Sequence, residues 1–228
     1  MVDVLGVTVD KVTNYIVENE LHEGDALPTT DVMVEMLSVS RVTYREAMLY
    51  LRGLGVITSK RGSCFRVAKF DPARVFNTAL PLYMMSNENL DETAKLRSIL
   101  EVGVVGDVAL NATDELKDAL DDVLNSIEAL LERDLATFAE YETLEVRFHS
   151  LISDASECDL LNSIMSALFK YIYKTPEIPI TQEVKSALRR TQIEHRIIAD
   201  SIRLNDSDTA LMAMKNHLRG NSLLGRMG

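Results

Sequence analysis

The chain has 228 residues, 46% of them hydrophobic and 26% charged, with five prolines, no tryptophan and a formal net charge of −11. That balance excludes a disordered chain, and no apolar run approaches the ~18 residues that a membrane-crossing helix needs. The start lacks a basic-then-apolar signal pattern, and two distant cysteines, Cys64 and Cys158, form no disulfide framework. A reducing cytoplasm is therefore the expected location, with no membrane partner. The length allows two domains, and the charge divides between them. Residues 1–70 hold 8 basic and 9 acidic side chains, whereas residues 71–228 hold 16 and 26.

Residues 1–7 read as a loose start. From Thr8 to Leu21, Val9, Val12, Ile16 and Val17 recur on one face and predict a first helix, which Glu23–Pro28 ends. Asp31–Leu37 is a second short helix, and Ser38-Val39 turns the chain into a third. There Ser40 is placed as N-cap. Tyr44, Ala47, Met48 and Leu51, spaced 0, 3, 4 and 7, form a buried stripe, and Arg41, Arg45 and Arg52 form a solvent-facing one beside it. Val56–Ser59 and Cys64–Val67 then read as two short strands around the basic turn Lys60–Ser63. Two short helices followed by a basic-tipped hairpin predict a winged helix-turn-helix.

An arginine stripe is more often an ordinary solvated face. Here residues 40–70 carry seven basic side chains against Glu46 alone, a net of +6 inside an acidic protein. Such an island suits neutralisation of the phosphates of double-stranded DNA.

Phe70–Arg74 reads as a linker, giving domains at 1–70 and 71–228. Helices are expected at about 73–85, 89–110, 113–132, 134–154, 157–173, 181–204 and 208–222, with Thr113 and either Ser207 or Asp208 as N-caps. The fold class is therefore mainly α: a winged helix-turn-helix followed by an antiparallel bundle of six or seven helices.

Three of the four histidines lie in the bundle. Glu145 and His149 are four apart and share a helix face. His195 stands about eleven residues before the turn centred on Asn205–Asp208 and His217 about ten after it, so an antiparallel pair sets them at one height. Ile197, Ile198, Ile202, Leu211, Met214 and Leu218 would line the space between. If the 134–154 helix packs on that pair, three imidazoles and one carboxylate converge. The residues alone leave two readings, hydrogen-bonded core histidines or the ligands of a divalent metal, zinc first, with nickel or manganese also compatible.

Gly24-Asp25-x-Leu27-Pro28, Val39-Ser40-Arg41 with Arg45-Glu46-Ala47, Leu51 with Leu54-Gly55-Val56-Ile57, and Arg61-Gly62-Ser63-x-Phe65-x-Val67 together resemble the N-terminal domain of GntR-type bacterial regulators. The resemblance implies operator contacts from Ser40, Arg41, Thr43 and Arg45, and from Arg61 and Gly62 at the wing tip. One departure stands out: where the family usually has Ser-Glu-Arg after the proline, with that arginine on DNA, this chain has Thr29-Thr30-Asp31. Asp31 is then expected to cap the second helix, with an operator that differs from the family's common one or is bound more weakly.

Leu96-Arg97 with Leu100-Glu101, Glu145 with Phe148-His149, Glu194-His195 with Ile198, Ser201 and Ile202, and finally His217 resemble the FCD ligand-sensing domain of the FadR branch. That resemblance implies a metal held by Glu145, His149, His195 and His217, with Glu in place of the usual Asp. The longer carboxylate would ligate, hold the metal more weakly, or leave it to the histidines. The resemblance also implies a small organic acid as effector. Arg97 would receive its carboxylate or simply pair with Glu101.

The expectation is a homodimeric, metabolite-responsive transcription regulator, a repressor and not an enzyme. The competing reading is a metal-dependent hydrolase with a structural basic hairpin. In a third, the metal only braces the bundle.

Overall fold

The computed structural model describes residues 3–59, 64–86, 90–172 and 177–220. The chain forms two compact units, Met1–Val75 and Phe76–Gly228.

The first unit contains α1 (Val4–Glu18), α2 (Thr30–Leu37), α3 (Arg41–Leu54), β1 (Ile57–Thr58) and β2 (Arg66–Val67). Helix α1 begins four residues earlier than periodicity predicts, because the Asp3 carboxylate accepts the Gly6 N–H at 2.9 Å and caps it. The loose start therefore does not extend to Val7. At the end of α2, Ser38 turns left-handed at φ 52°, and the Lys11 ammonium donates to the Leu37 carbonyl at 2.7 Å. A cation at a helix C-terminus satisfies orphan acceptors and opposes the helix dipole. Ser40 caps α3 as expected, its Oγ accepting the Thr43 N–H at 3.0 Å. Gly55 ends the helix at φ 80°, where a Cβ would be strained.

Tyr44, Met48 and Leu51 bury against Val12, Ile16, Leu27, Met33 and Ile57. The wing strands pair antiparallel, Ile57 with Val67 and Thr58 with Arg66. They are shorter than the four-residue candidates. The stretch before α2 joins them instead: Leu27 N–H donates to the Phe65 carbonyl and Val67 N–H to the Asp25 carbonyl, both at 2.9 Å. Asp31 does not cap α2. Thr29 occupies that position without a side-chain bond, and the Asp31 carboxylate goes to Arg41 instead.

Helix α4 (Pro72–Ser86) starts inside the expected linker. Proline fits a first helical position because no N–H is needed there. After it come α5 (Leu90–Asn111), α6 (Asp114–Glu132), α7 (Phe138–Asp154), α8 (Asp159–Ile172), α9 (Gln182–Arg203) and α10 (Ser207–Gly220). Helix α5 is central, packing on α7, α8, α9 and α10. Its approach to α10 runs over Gly106, where a Cβ would lie 2.9 Å from Ser207 Oγ and 3.1 Å from Leu211. The apolar faces of α5, α6, α7, α9 and α10 close one core that includes Val105, Leu120, Leu124, Ile127, Phe148 and Ile198.

In this unit one helix start and one cap differ from expectation. Helix α7 begins at Phe138, not 134, because residues 136–138 pair with 178–180: Phe138 N–H donates to Ile178 and Ile180 N–H to Ala136. Thr137 and Glu140 then close a reciprocal capping box. Thr113 caps α6 as expected, but α10 is capped by Asp206, which accepts the Thr209 N–H at 3.1 Å, and not by Ser207 or Asp208.

Candidate metal centre and nucleic-acid interface

Glu145 and His149 project from α7, His195 from α9 and His217 from α10, and all four are buried. One potential ligand atom from each lies within 4.8 Å of every other. His195 Nε2 stands 3.1 Å from His217 Nε2, which stands 3.2 Å from His149 Nε2. The Glu145 carboxylate sits 3.4 Å from both His149 Nε2 and His195 Nε2. Helix α7 packs chiefly on α6, α8 and α5, so its long side chains reach toward the α9–α10 pair. The apolar surround also departs from expectation, since Ile197 is 46% exposed on the outer face. Phe148 takes its place, its ring 4.5 Å from that of His195.

A second layer, absent from the sequence-based ligand list, orients the rings. Glu101 Oε2 lies 2.5 Å from His149 Nδ1, Glu194 Oε2 lies 3.1 Å from His217 Nδ1, and the Tyr141 hydroxyl donates to Glu145 at 3.0 Å. Carboxylates beside Nδ1 orient these two rings so that their Nε2 atoms face inward. The Nε2 atoms of His149 and His217 thus face one another across 3.2 Å, and a divalent ion between them would take the lone pair of each ring once His149 has given up its proton. Tetrahedral zinc, with Zn–N of about 2.0–2.1 Å, sets neighbouring ligand atoms about 3.3–3.4 Å apart. Four of the separations, at 3.1–3.4 Å, are close to that spacing, and all four atoms lie within 4.8 Å of one another, so the donor set fits a divalent ion. Tyr141 and Glu194 leave a sequence signal: one lies four residues before Glu145, the other adjoins His195.

The electrostatics agree. Burial pushes the His217 imidazole well below its usual value, and the neighbouring His195 and His149 push the same way. Burial likewise lowers His195, only partly opposed by Glu145. Both rings are therefore neutral, as ligands must be. For His149 burial acts downward, but the Glu101 charge prevails and raises it. Burial would raise Glu145, yet His195 and His149 outweigh it and hold the carboxyl well below its ordinary range.

Arg97 pairs through Nε with Glu101 in the interior, and its guanidinium lies 5.3 Å from the Phe169 ring centre. The internal pairing weighed for it is thus present. Glu101 joins Arg97 on one side to His149 on the other.

In the first unit, Arg41, Arg45 and Arg52 are exposed along α3, and Tyr44, Ala47, Met48 and Leu51 are buried. The Ser40 and Thr43 hydroxyls bond each other at 2.7 Å at the start of that helix. Arg61 and Gly62 lie outside the described residues.

A winged helix-turn-helix joined to an all-α unit with a buried His/Glu cluster defines a class of ligand-responsive DNA-binding proteins. The chain matches the FCD domain over residues 92–220 and the family described as bacterial regulatory proteins, gntR family, over residues 7–67. It belongs to the gntR family and has the architecture of its FadR branch. It is 28% identical to the HTH-type transcriptional regulator LutR of Bacillus subtilis over 211 residues, covering 89% of this chain and 92% of that protein. It is 27% identical to the Uxu operon transcriptional regulator of Escherichia coli, covering 91% and 80% respectively. The fold is similar to that of a Streptococcus agalactiae GntR structure, with a TM-score of 0.53 at 22% identity over 97% of this chain and 99% of that one. These relatives are transcription regulators, and the hydrolase reading falls with that finding. Among the described residues no helix is long and apolar enough to cross a membrane.

Proposed function

We propose that this transcription regulator is a cytoplasmic homodimeric repressor whose helical domain, beginning near residue 71, holds a divalent metal and takes a small organic acid that loosens its grip on operator DNA. The observation that carries the metal part is the inward convergence of three Nε2 atoms on Glu145, with carboxylates behind two of the rings. Glu145, His149, His195 and His217 would hold the ion. Three imidazole nitrogens and one carboxylate oxygen suit zinc, and nickel or manganese accept the same donors. The ion would offer an open position to an acid's oxygen.

Arg97 supports the acid-binding part. A carboxylate arriving at its guanidinium competes with Glu101 for the same donors. Glu101 also contacts His149, so that exchange reaches the metal. Any such coupling is reciprocal, with the metal altering acid affinity by the same factor.

On the DNA side, Ser40, Arg41, Thr43 and Arg45 would dock on the major groove, with Arg61 and Gly62 reaching the backbone or the adjacent minor groove. A dimer sets two such helices on half-sites about one DNA turn apart. Acid binding then shifts the population toward arrangements in which both cannot dock together.

The test is selection of duplexes by the purified full-length chain, followed by titration of the bound complex with a panel of small carboxylates. Release by one or more acids is expected. A chain that retains no DNA sequence would overturn the regulator mechanism, and a complex indifferent to every acid would remove the effector.

A further inference from the structure

The reading helix carries a carboxylate contact that the proposed mechanism does not use. Asp31, second residue of α2, places Oδ1 2.5 Å from Nη1 of Arg41, first residue of α3. Both side chains are more than two-thirds exposed, at 69% and 67%. A pair so exposed adds little to fold stability. Its consequence lies where water is displaced, on the DNA. Among the described residues Arg45, one turn along the same helix, makes no ion pair, so the contact singles out one arginine.

We propose that Asp31 is a specificity-determining residue, which holds Arg41 off the phosphates so that its guanidinium is spent on base edges. An unrestrained arginine at a helix start reaches any phosphate, and such contacts carry no sequence information. A carboxylate occupying one edge of the guanidinium repels phosphate oxygens and leaves the other edge to face a guanine, which accepts through O6 and N7. The carboxylate also subtracts one charge from the local counterion release. Non-specific affinity is lowered more than specific affinity, and discrimination rises. This inference rests on the DNA-reading role of α3 proposed above.

The test uses the full chain and two duplexes, one enriched by the wild type from a random pool and one scrambled. Binding by wild type, Asp31→Asn, Arg41→Ala and the double variant is followed by fluorescence anisotropy at several salt concentrations, with thermal melting as the fold control. Asp31→Asn should bind the scrambled duplex about 3- to 10-fold more tightly, with a steeper salt dependence and discrimination reduced by roughly fivefold. In the Arg41→Ala background the same change should move discrimination by less than about twofold. Discrimination unchanged or raised in Asp31→Asn, or lowered equally in both backgrounds, overturns the inference while leaving the reading helix in place. A wild type that enriches no sequence overturns the reading helix itself.

Discussion

At the scale of single residues, the buried cluster is held by opposed demands. His195 and His217 are kept neutral by burial, while Glu101 favours a proton on His149. Binding a divalent ion must therefore expel the His149 proton, and acid competes with metal. Because His149 is raised above the ordinary imidazole value of about 6.5, metal affinity should begin to fall as the pH drops through that raised value, by about tenfold per pH unit for each proton displaced. Metal analysis after dialysis across a pH series checks the sign. Glu194 offers a cleaner probe than Glu101, because its side chain is 42% exposed and its removal strains no interior. Glu194→Gln leaves every proposed ligand in place but weakens the hold on His217 Nδ1. Metal affinity by calorimetry should fall by about 10- to 100-fold, with the melting behaviour of the metal-free chain unchanged.

At the scale of elements, what could be read in advance was whatever is written locally. The stripe of Tyr44, Ala47, Met48 and Leu51, the Ser40 and Thr113 caps and the His195–His217 match across a turn all follow from spacing along one helix or one hairpin. The start of α7 was not readable. Ala136 and Phe138 bond to the backbone near Pro179, forty residues on, and no local period encodes that pairing. Asp31 misled for a related reason: an acidic residue near a helix start predicts a cap, yet its partner is a side chain on the next helix. The backing of His149 by Glu101 also joins two helices, α5 and α7, and leaves no spacing to find.

The elements make their own predictions. Gly106→Val would force a side chain into Ser207 and Leu211, where a single Cβ already meets 2.9 Å and 3.1 Å. Overpacking of that kind costs about 1–3 kcal/mol, readable as a lowered midpoint in urea. Thr137→Ala removes half of the α7 capping box and should cost about 0.5–2 kcal/mol. Arg45→Ala, exposed on α3, should weaken binding to a selected operator roughly tenfold or more while leaving the oligomeric state in sedimentation unchanged.

At the scale of the whole molecule, charge assigns the labour. Residues 71–228 carry ten more acidic than basic side chains, and residues 40–70 carry six more basic than acidic. Only the N-terminal part can approach a phosphate backbone without repulsion. Sedimentation should give twice the 25.5 kDa of one chain, since two reading helices on one face of DNA require two copies. The proposed communication between the parts depends on the ion, so metal content decides whether it can operate. The wild type and the His195→Ala/His217→Ala variant, both supplied with zinc and then freed of loose ions, are compared by elemental analysis, with circular dichroism confirming their helices. About one ion per chain in the wild type and almost none in the folded variant is the predicted result. Equal metal in the two proteins, or none in the folded wild type, would contradict it.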